Sequence, residues 1–277
     1  MAEQVRLALQ AMGTRFELLI NGADEPAIRA AGEAALELIE TAHRELTRFE
    51  PSSLVNHIRR VGRDRPVPLT GTMLALFADA RAVWEASEGA FDPTTREGAP
   101  FDAVELDLDA STVRLREDVA LDFGAIAKGH ALDLAANLLR DHGITSAFLH
   151  GGTSSAVGIG APSGGRSWRV ALAGVAAPII ELHDSAVSVS GVLGRLVPRG
   201  ADWVSHLANP RSGEALTGDR SAAVAGPSAR LADAWSTAVL VAGERPLGLG
   251  PEWDVLLGGG GRWRRAAATQ PSFASST

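Results

Sequence analysis

The chain has 277 residues, 45% hydrophobic and 21% charged, which is enough for one large domain or two small ones with a sizeable core. Its net charge of −7 argues against nucleic acid as the main partner, and the absence of cysteine excludes disulfides, thiolate catalysis and Cys-ligated zinc. No apolar run approaches the roughly 18 residues that cross a bilayer, and the first residues lack the regions of a signal peptide. We therefore predict a cytoplasmic protein without membrane insertion.

The first half of the chain predicts a hairpin followed by helices. Alternating residues on either side of Met12-Gly-Thr14 predict a β-hairpin, since glycine suits a turn or a bulge. Helical spacing of apolar residues predicts two helices, and Pro93 indicates a loop. The predicted elements are a hairpin over residues 5–20, helices over 25–49 and 70–87, a loop over 91–95, and a short hairpin over 104–108 and 113–115.

The second half is predicted to be rich in strands. A strand over residues 119–123 leads into a helix that ends near His142, where Gly143 is a favourable stop. Ser228 is the predicted N-cap of another helix, which ends near Val241. Further strands are predicted over residues 147–150, 156–159, 168–173, 179–182, 186–190, 203–207, 221–225, 253–257 and 263–268.

The order of these elements indicates the fold class. Helices and strands are mixed without a sustained βαβ rhythm, which favours an α+β fold over a doubly wound parallel sheet. The chain contains no convincing repeat and no low-complexity linker. We predict a single domain over residues 1–269, followed by a flexible tail over residues 270–277, which are small and polar.

The predicted junction between a strand and a helix at residues 121–129 is the first candidate site. Lys128 is the only lysine among 26 basic side chains, and an ammonium does not do the work of a guanidinium. A helix N-terminus with glycines at 124 and 129 and this cation suits a phosphate. The pattern is neither a Walker A loop nor a dinucleotide fingerprint, and an ordinary strand-to-helix turn would have the same spacing.

The second candidate site is the helix that carries Asp233, Ser236 and Thr237. Asp233 and Thr237 are four residues apart and share a helix face, with Ser236 adjacent. A carboxylate and a hydroxyl are hard oxygen ligands that suit Mg2+, which keeps several waters and shares substrate phosphates. A solvated helix face with a threonine against the core is the alternative.

His206 precedes the turn over residues 209–213, and a histidine there can act as an acid or a base near neutral pH, although most single histidines are structural. Two small-residue stretches, over residues 151–155 and 188–191, would let a flat ring or a backbone come close. They are equally compatible with turns.

These pieces occur in a recognisable order, and the chain resembles the FAD:protein FMN transferases, the ApbE-type flavin transferases, over nearly its whole length. The resemblance is specific because the motifs follow one another in the family's order. The motifs are Met12-Gly-Thr14, Phe49-Glu-Pro-Ser-Ser53 before Asn56, Ala90-Phe-Asp-Pro-Thr94, Leu121-Asp-Phe-Gly-Ala-Ile-Ala-Lys-Gly129 with Asp133, Gly151-Gly152, Ser188-Val-Ser-Gly191, His206 before Pro210-Arg-Ser-Gly213, and Ala232-Asp-Ala-Trp-Ser-Thr237.

The resemblance implies a T-fold-like α+β architecture and a Mg2+-dependent reaction on FAD. FMN is transferred to a threonine or serine hydroxyl of an acceptor protein, and AMP leaves. The implied catalytic residues are His206, as acid or base, and Asp233. The implied metal ligands are Asp233, Thr237 and the carbonyl of Ala125, with Ser236 where some members have an aspartate. The implied FAD contacts are Met12, Phe49, Ala90, Phe91, Asp92, Asp122, Lys128 and Ala208.

The chain departs from the family pattern at several positions. Phe49 stands where tyrosine is common, Thr153 follows Gly151-Gly152 where aspartate is usual, and Asn209 replaces the first aspartate of the Asp-Pro-Arg-Thr-Gly motif. These departures indicate a divergent branch. Two other functions remain open, an FAD pyrophosphatase that yields FMN and AMP, and a non-catalytic FAD-binding protein.

Overall fold

The protein is represented by a computed structural model that describes residues 3–95, 97–174, 177–194, 196–199, 202–205 and 207–267. For residues 196–199 and 202–205 only the backbone is described. The predicted tail lies outside the described residues, as does the end of the last predicted strand. The elements in chain order are β1 (Glu3–Ala11), β2 (Thr14–Gly22), α1 (Glu25–Leu46), α2 (Leu54–Val61), β3 (Val67–Pro68), α3 (Gly71–Ala86), β4 (Val104–Asp107), β5 (Thr112–Leu115), α4 (Ala127–Asp141), β6 (Ser146–Gly151), β7 (Ser155–Ile159), β8 (Trp168–Ala171), β9 (Ile179–Leu182), β10 (Ser185–Gly191), β11 (Leu196–Arg199), β12 (Asp202–Ser205), β13 (Arg220–Gly226), α5 (Ala229–Ala242), β14 (Asp254–Gly259) and β15 (Arg262–Arg265).

An eight-stranded antiparallel sheet organises the fold. Its strand order is β1-β2-β6-β7-β10-β13-β14-β15. Smaller antiparallel sheets are formed by β3-β5-β4, by β8-β9 and by β11-β12. All of these strand pairs are antiparallel, and the helices pack on the sheet, so the predicted α+β class is confirmed.

The first hairpin forms as the sequence predicted. Met12 and Gly13 are its two turn residues, and their φ angles of 51° and 72° are both in the left-handed region. Two consecutive positive φ angles define the type I′ turn, whose twist matches that of the flanking strands. The turn sets the register of Ala11 opposite Thr14, which continues to Glu3 opposite Gly22.

The predicted helices form with small shifts at their ends. α1 begins after Asp24, whose side chain accepts the N–H of Ala27 at 3.3 Å, and it ends at Leu46 because Thr47 is extended. Ser228 caps α5 as predicted, accepting the N–H of Leu231 at 3.2 Å. α2, a helix of eight residues that begins after Ser53, was not predicted.

The prediction of a strand over residues 119–123 was wrong. Only Leu121 forms a ladder pair, an isolated bridge to Thr94. The segment is extended and bonds to the loop before it, with the N–H of Asp122 donating to the carbonyl of Pro93 at 2.8 Å. Proline has no N–H to donate in return, so a regular ladder does not develop. All residues of the segment except Asp122 are buried, so this apolar run resembles a buried strand although it has no partner strand.

Two hydrophobic clusters meet where α4 crosses α5. One cluster packs α1 and α4 against the half of the sheet that contains β1, β2 and β6, and the other packs α3 and α5 against the half that contains β13 and β14. A Cβ on Gly129 of α4 would lie 2.1 Å from the carbonyl oxygen of Ala229 in α5. The two helices therefore approach so closely that only glycine fits at this position. None of the helices in the described ranges is long and apolar enough to cross a bilayer.

We expect Gly129→Ala to lower the free energy of unfolding by about 1–3 kcal/mol or more, because the added methyl group must push α4 away from α5. Urea denaturation followed by circular dichroism measures the change. Gly71→Ala is the matched control, since a Cβ there meets nothing within 4 Å at the first residue of α3. Equal stability of the two variants would contradict the close approach.

Candidate active site

Asp233 is the buried charge around which the site is built. It lies on α5 with 2% of its surface exposed. Its Oδ1 accepts a hydrogen bond from Ser188 Oγ at 2.9 Å and lies 3.5 Å from Ser155 Oγ, on the neighbouring strands β10 and β7. Its Oδ2 accepts the N–H of Gly129 in α4 at 3.1 Å. Because an unpartnered buried carboxylate is costly, two helices and two strands converge on this one group.

Lys128 supplies a positive charge for the same carboxylate. Its Nζ lies 3.5 Å from Asp233 Oδ2 and 3.5 Å from the carbonyl oxygen of Gly124, and 20% of the side chain is exposed. Both distances are at the outer limit of a hydrogen bond, so charge accounts for most of the attraction. The structure thus joins the two sites that the sequence suggested separately, the segment before α4 and the helix that carries Asp233.

Three hydroxyl groups cluster one turn further along α5. Ser190 Oγ lies 2.8 Å from Ser236 Oγ and 3.1 Å from Thr237 Oγ1. Ser236 and Thr237 also donate to the carbonyl oxygen of Asp233, at 2.9 Å and 3.4 Å. Ser236 is fully buried, whereas Thr237 is half-buried. Of these two predicted metal ligands, Thr237 therefore keeps more surface for a ligand.

The carbonyl of Ala125 lies one residue before the N-cap of α4. The carbonyl of the N-cap residue, Ile126, accepts the N–H of His130 at 3.0 Å. The N–H of Gly129, four residues after Ala125, would extend this ladder backwards, but it donates to Asp233 instead. Ala125 precedes the N-cap, so its carbonyl oxygen lies outside the helical ladder of α4, and the N–H of Gly129 ties the carboxylate to this end of the helix.

A cation at this site would be held by hard oxygen atoms. The available atoms are one carboxylate, on Asp233, with hydroxyl groups and a backbone carbonyl around it. Within the described ranges, no cluster of three or more histidine, aspartate or glutamate side chains is placed to hold a metal. Such a sparse set suits Mg2+, which binds through one or two carboxylates together with waters and substrate phosphates.

Arg48 contacts two of the residues that are predicted to bind FAD, Phe49 and Asp122. Its guanidinium lies over the ring of Phe49, 4.5 Å from the centroid, and its Nε pairs with Asp122 Oδ2 at 3.1 Å. Phe49 is 73% exposed, which leaves ring surface for a flat ligand. Asp122 Oδ1 accepts the N–H of Gly124 at 2.9 Å, and Gly124 leads to Lys128. No local pattern in the sequence indicates a role for Arg48, because its partner Asp122 lies far away along the chain.

The other predicted FAD contacts in the first half of the chain are less exposed than Phe49. Ala90 and Phe91 are 3% and 0% exposed, so neither offers a ligand surface in this structure. Asp92 is half-buried, and burial raises the pKa of its carboxyl group, in part offset by a 2.7 Å hydrogen bond from Thr94 Oγ1. Met12 lies in the first hairpin turn and packs against both core clusters. Contacts of these residues with FAD remain predictions.

Two of the predicted functional residues, His206 and Ala208, follow β12 in the chain. Ala208 forms an isolated bridge with Ala215, and the N–H of Gly213 donates to the carbonyl of Asn209 at 2.7 Å, which closes a tight turn. His206, the predicted acid or base, lies outside the described residues. Its role therefore remains a prediction.

Asp133 sets the position of α5 relative to α4. Its carboxylate accepts Ser228 Oγ at 2.7 Å and the N–H groups of Ala229 and Arg230 at 2.9 Å and 3.0 Å. These donors belong to the first turn of α5, where backbone N–H groups have no helical partner. One side chain of α4 thus caps the helix that carries Asp233.

A buried histidine lies at the same helix junction. His130 is fully buried, and its Nδ1 lies 3.3 Å from Nη1 of Arg230, whose Nη2 pairs with Asp79 of α3 at 2.5 Å. Nε2 of His130 and Nε of Arg230 are buried without a hydrogen-bond partner among the described residues. Burial lowers the pKa of His130 to about 3, and the charge of Arg230 acts in the same direction. His130 is therefore neutral near pH 7.

The fold and the site together define an α+β protein with a carboxylate–ammonium pair enclosed between two helices and an antiparallel sheet. The chain belongs to the ApbE family, whose sequence model matches residues 12–98 and 95–248. This membership confirms the resemblance found in the sequence.

Curated relatives and solved structures agree with this membership. The FAD:protein FMN transferase of Rhodobacter capsulatus is 29% identical over 275 residues, which cover 88% of this chain and 52% of that relative. The chain thus spans about half the length of that relative. The FAD:protein FMN transferase of Klebsiella pneumoniae is 22% identical, over 84% of this chain and 77% of its own.

Two solved structures share the fold. The ApbE protein of Thermotoga maritima superposes with a TM-score of 0.82 at 23% identity, covering 95% of this chain and 97% of its own. The flavin transferase ApbE of Vibrio cholerae superposes with a TM-score of 0.80 at 20% identity, covering 97% and 98%. The predicted ApbE architecture is therefore confirmed.

We expect His130 to make the protein less stable in mild acid. The unfolded chain binds a proton below its pKa of about 6.5, whereas folded His130 stays neutral down to pH about 3. Proton binding by the unfolded chain therefore lowers the free energy of unfolding as the pH falls. The decrease between pH 7 and pH 5 is about 2 kcal/mol. Urea denaturation at both pH values should show that His130→Gln loses this difference. The control His142→Gln, at the exposed end of α4, should retain it, and identical pH dependence in all three proteins would contradict the assignment.

Proposed function

We propose that this protein is an FAD:protein FMN transferase, which moves the FMN moiety of FAD to a threonine or serine hydroxyl of an acceptor protein and releases AMP. The observation that carries the proposal is the enclosure of Asp233 at the α4–α5 junction, with Lys128 beside it and hydroxyl groups around it. The same residues belong to the motifs of the ApbE family, and the relatives from Rhodobacter capsulatus and Klebsiella pneumoniae are FAD:protein FMN transferases.

The residues present fit a magnesium ion. Asp233 offers a carboxylate, Thr237 a half-buried hydroxyl and Ala125 a carbonyl outside the helical ladder of α4. Ser236 is a weaker candidate as a ligand, because its hydroxyl is buried between Ser190 and the carbonyl of Asp233. When bound, Mg2+ would neutralise negative charge on the pyrophosphate of FAD.

FAD would lie between the exposed ring and the buried carboxylate. Phe49 offers a face for a flat ring, and Arg48 and Asp122 connect it to Gly124. Lys128, which is only partly exposed, lies at the far end of this line of contacts, where its ammonium can hold a phosphate oxygen. Positioning and charge neutralisation are the main requirements of phosphoryl transfer.

The reaction breaks the phosphoanhydride bond in the pyrophosphate of FAD and forms a phosphoester bond to the acceptor. The acceptor hydroxyl oxygen forms a bond to the phosphorus of the FMN half, and the bond from that phosphorus to the bridging oxygen breaks. The bridging oxygen leaves with AMP, and the hydroxyl proton passes to a base. His206 is our candidate for that base on the basis of the family motif.

We also propose that residues 1–269 act as one catalytic domain and that the protein works in the cytoplasm.

The FAD pyrophosphatase is the second candidate, since water in place of the acceptor hydroxyl would give FMN and AMP at the same site. Incubation with FAD, Mg2+ and candidate acceptor proteins distinguishes the two. Transfer gives a fluorescent protein band on a denaturing gel, whereas hydrolysis gives free FMN and AMP without a labelled band. FAD binding with neither product would indicate a binding protein instead.

We expect Asp233→Asn to lose metal-dependent turnover of FAD by a factor of about 100 or more, because the ligand charge is removed while the hydrogen-bonding shape is retained. Product formation is measured by chromatography of AMP over a Mg2+ titration. Ser236→Ala is the matched control on the same helix and should keep most of the activity. Undiminished turnover by Asp233→Asn in folded protein would exclude this metal assignment.

We expect Arg48→Gln to weaken FAD binding about tenfold, since it removes both the cation–π contact with Phe49 and the ion pair with Asp122. Quenching of flavin fluorescence on titration measures the Kd. Arg44→Gln, in the last turn of α1, is the control and should bind FAD like the wild type. If both variants bind equally, Arg48 does not organise the flavin site.

A further inference from the structure

Two arginines of β15, Arg262 and Arg264, lie on the same face of the large sheet as Arg220 of β13, around Gly259. β13 pairs Arg220 with Gly259, and β15 pairs Arg262 with the same glycine from the other side. Their Cα atoms are therefore about 10 Å apart, since neighbouring strands are separated by about 4.8 Å. Arg264 lies two residues along β15 and faces the same side. Gly259 leaves the space between Arg220 and Arg262 without a side chain, and Leu257 occupies the next row, beside Arg264.

A groove of about 460 Å³ lies between this hairpin and the end of α5. We call it the arginine groove and define it by Arg220, Ser221, Leu240, Gly243, Arg262 and Arg264. On the opposite face of β15, Trp263 covers Gly258 and donates its Nε1 to the carbonyl of Ala173 at 2.8 Å. This contact fixes the strand that carries two of the three arginines.

The charges in the groove are not neutralised. Arg220, Arg262 and Arg264 are exposed, and none of them forms an ion pair with another described residue. Their neighbour Arg265 does, with Asp254 at 3.0 Å. In a chain with a net charge of −7, three uncompensated positive charges around one groove favour a negatively charged partner.

The groove and the candidate active site share one face of the sheet. Ser190, which contacts Thr237, pairs with Ala222, which pairs with Leu257, which pairs with Arg264. This row crosses four strands, so Ser190 and Arg264 are about 14 Å apart. α5 also links the site to the groove, since Thr237 contacts Ser190 and the last turn of the helix borders the groove. Ala222 in this row is fully buried under α5, so a polypeptide bound in the groove would reach the site around the end of the helix, over a path that several extended residues can span.

We propose that the arginine groove binds an acidic segment of the acceptor protein and so brings a nearby hydroxyl to the active site. This inference rests on the proposed transferase function. A short run of aspartate or glutamate residues matches three guanidinium groups, each of which can take a carboxylate in a two-pronged hydrogen bond. A nucleic acid duplex, with a charge every ~1.7 Å, would extend beyond the groove onto an acidic protein.

Binding is tested without any transfer reaction. A fluorescent peptide of alternating glutamate and serine is titrated with the full-length protein at low ionic strength, and anisotropy gives its Kd. We expect Arg262→Gln/Arg264→Gln to weaken binding about tenfold or more, and salt to weaken wild-type binding. The control Arg6→Gln/Arg114→Gln removes two exposed strand arginines that also lack ion pairs, from β1 and β5. It has the same net charge and should bind like the wild type.

Several results would overturn the proposal. It fails if the two double variants bind the acidic peptide equally, or if a glutamine–serine peptide binds as tightly as the acidic one. Preferential binding of a DNA duplex or of anionic lipid vesicles that is lost in Arg262→Gln/Arg264→Gln would assign the groove to another class of partner. Thermal unfolding of each variant checks that the fold is unchanged.

The role in transfer is measured separately. With an acceptor that carries an acidic segment, Arg262→Gln/Arg264→Gln should raise the KM for the acceptor about tenfold while kcat and the Kd for FAD stay unchanged. An unchanged KM would overturn the link between groove and acceptor. If the wild-type protein transfers no flavin to any acceptor, the proposed transferase function fails, whereas the peptide-binding result still decides whether the groove takes acidic segments.

Discussion

The site depends on the burial of one carboxylate. Asp233 has almost no contact with solvent, and a charge in that position is tolerated only when hydrogen bonds and an opposite charge compensate for the lost water. The donors are Ser188 on the sheet and Gly129 and Lys128 on the neighbouring helix. None of these donors is adjacent to Asp233 in sequence, so the compensation exists only after α4, α5 and the sheet have come together.

The rest of the structure keeps these donors in place. Asp133 caps α5 from α4, so the two helices start in a defined relation to one another. Gly129 allows the close approach and at the same time supplies the N–H that reaches the carboxylate. A larger residue would separate the helices and lengthen that hydrogen bond. The requirement for glycine here is thus both a matter of packing and a matter of electrostatics.

Charge is distributed unevenly over the protein. The chain is acidic as a whole, but positive side chains gather where negative ligands are expected, with Lys128 at the buried carboxylate and Arg48 at the exposed ring of Phe49. The arginine groove continues this arrangement along the same face of the sheet. Uncompensated arginines are costly to keep close together, because like charges repel. A negatively charged partner bound in the groove would relieve this repulsion.

Features that depend on neighbours along the chain could be predicted from the sequence. The Met12-Gly13 turn, the Ser228 cap and the apolar stripe of α1 are local patterns, and each formed as predicted. Tertiary structure alone decided that Asp122 would bond to a loop instead of a strand, and that Arg48 would bridge Asp122 and Phe49. The physical reason is that a hydrogen bond or ion pair between distant residues is specified by the packing of whole elements, whereas turns and caps are specified by a few adjacent side chains.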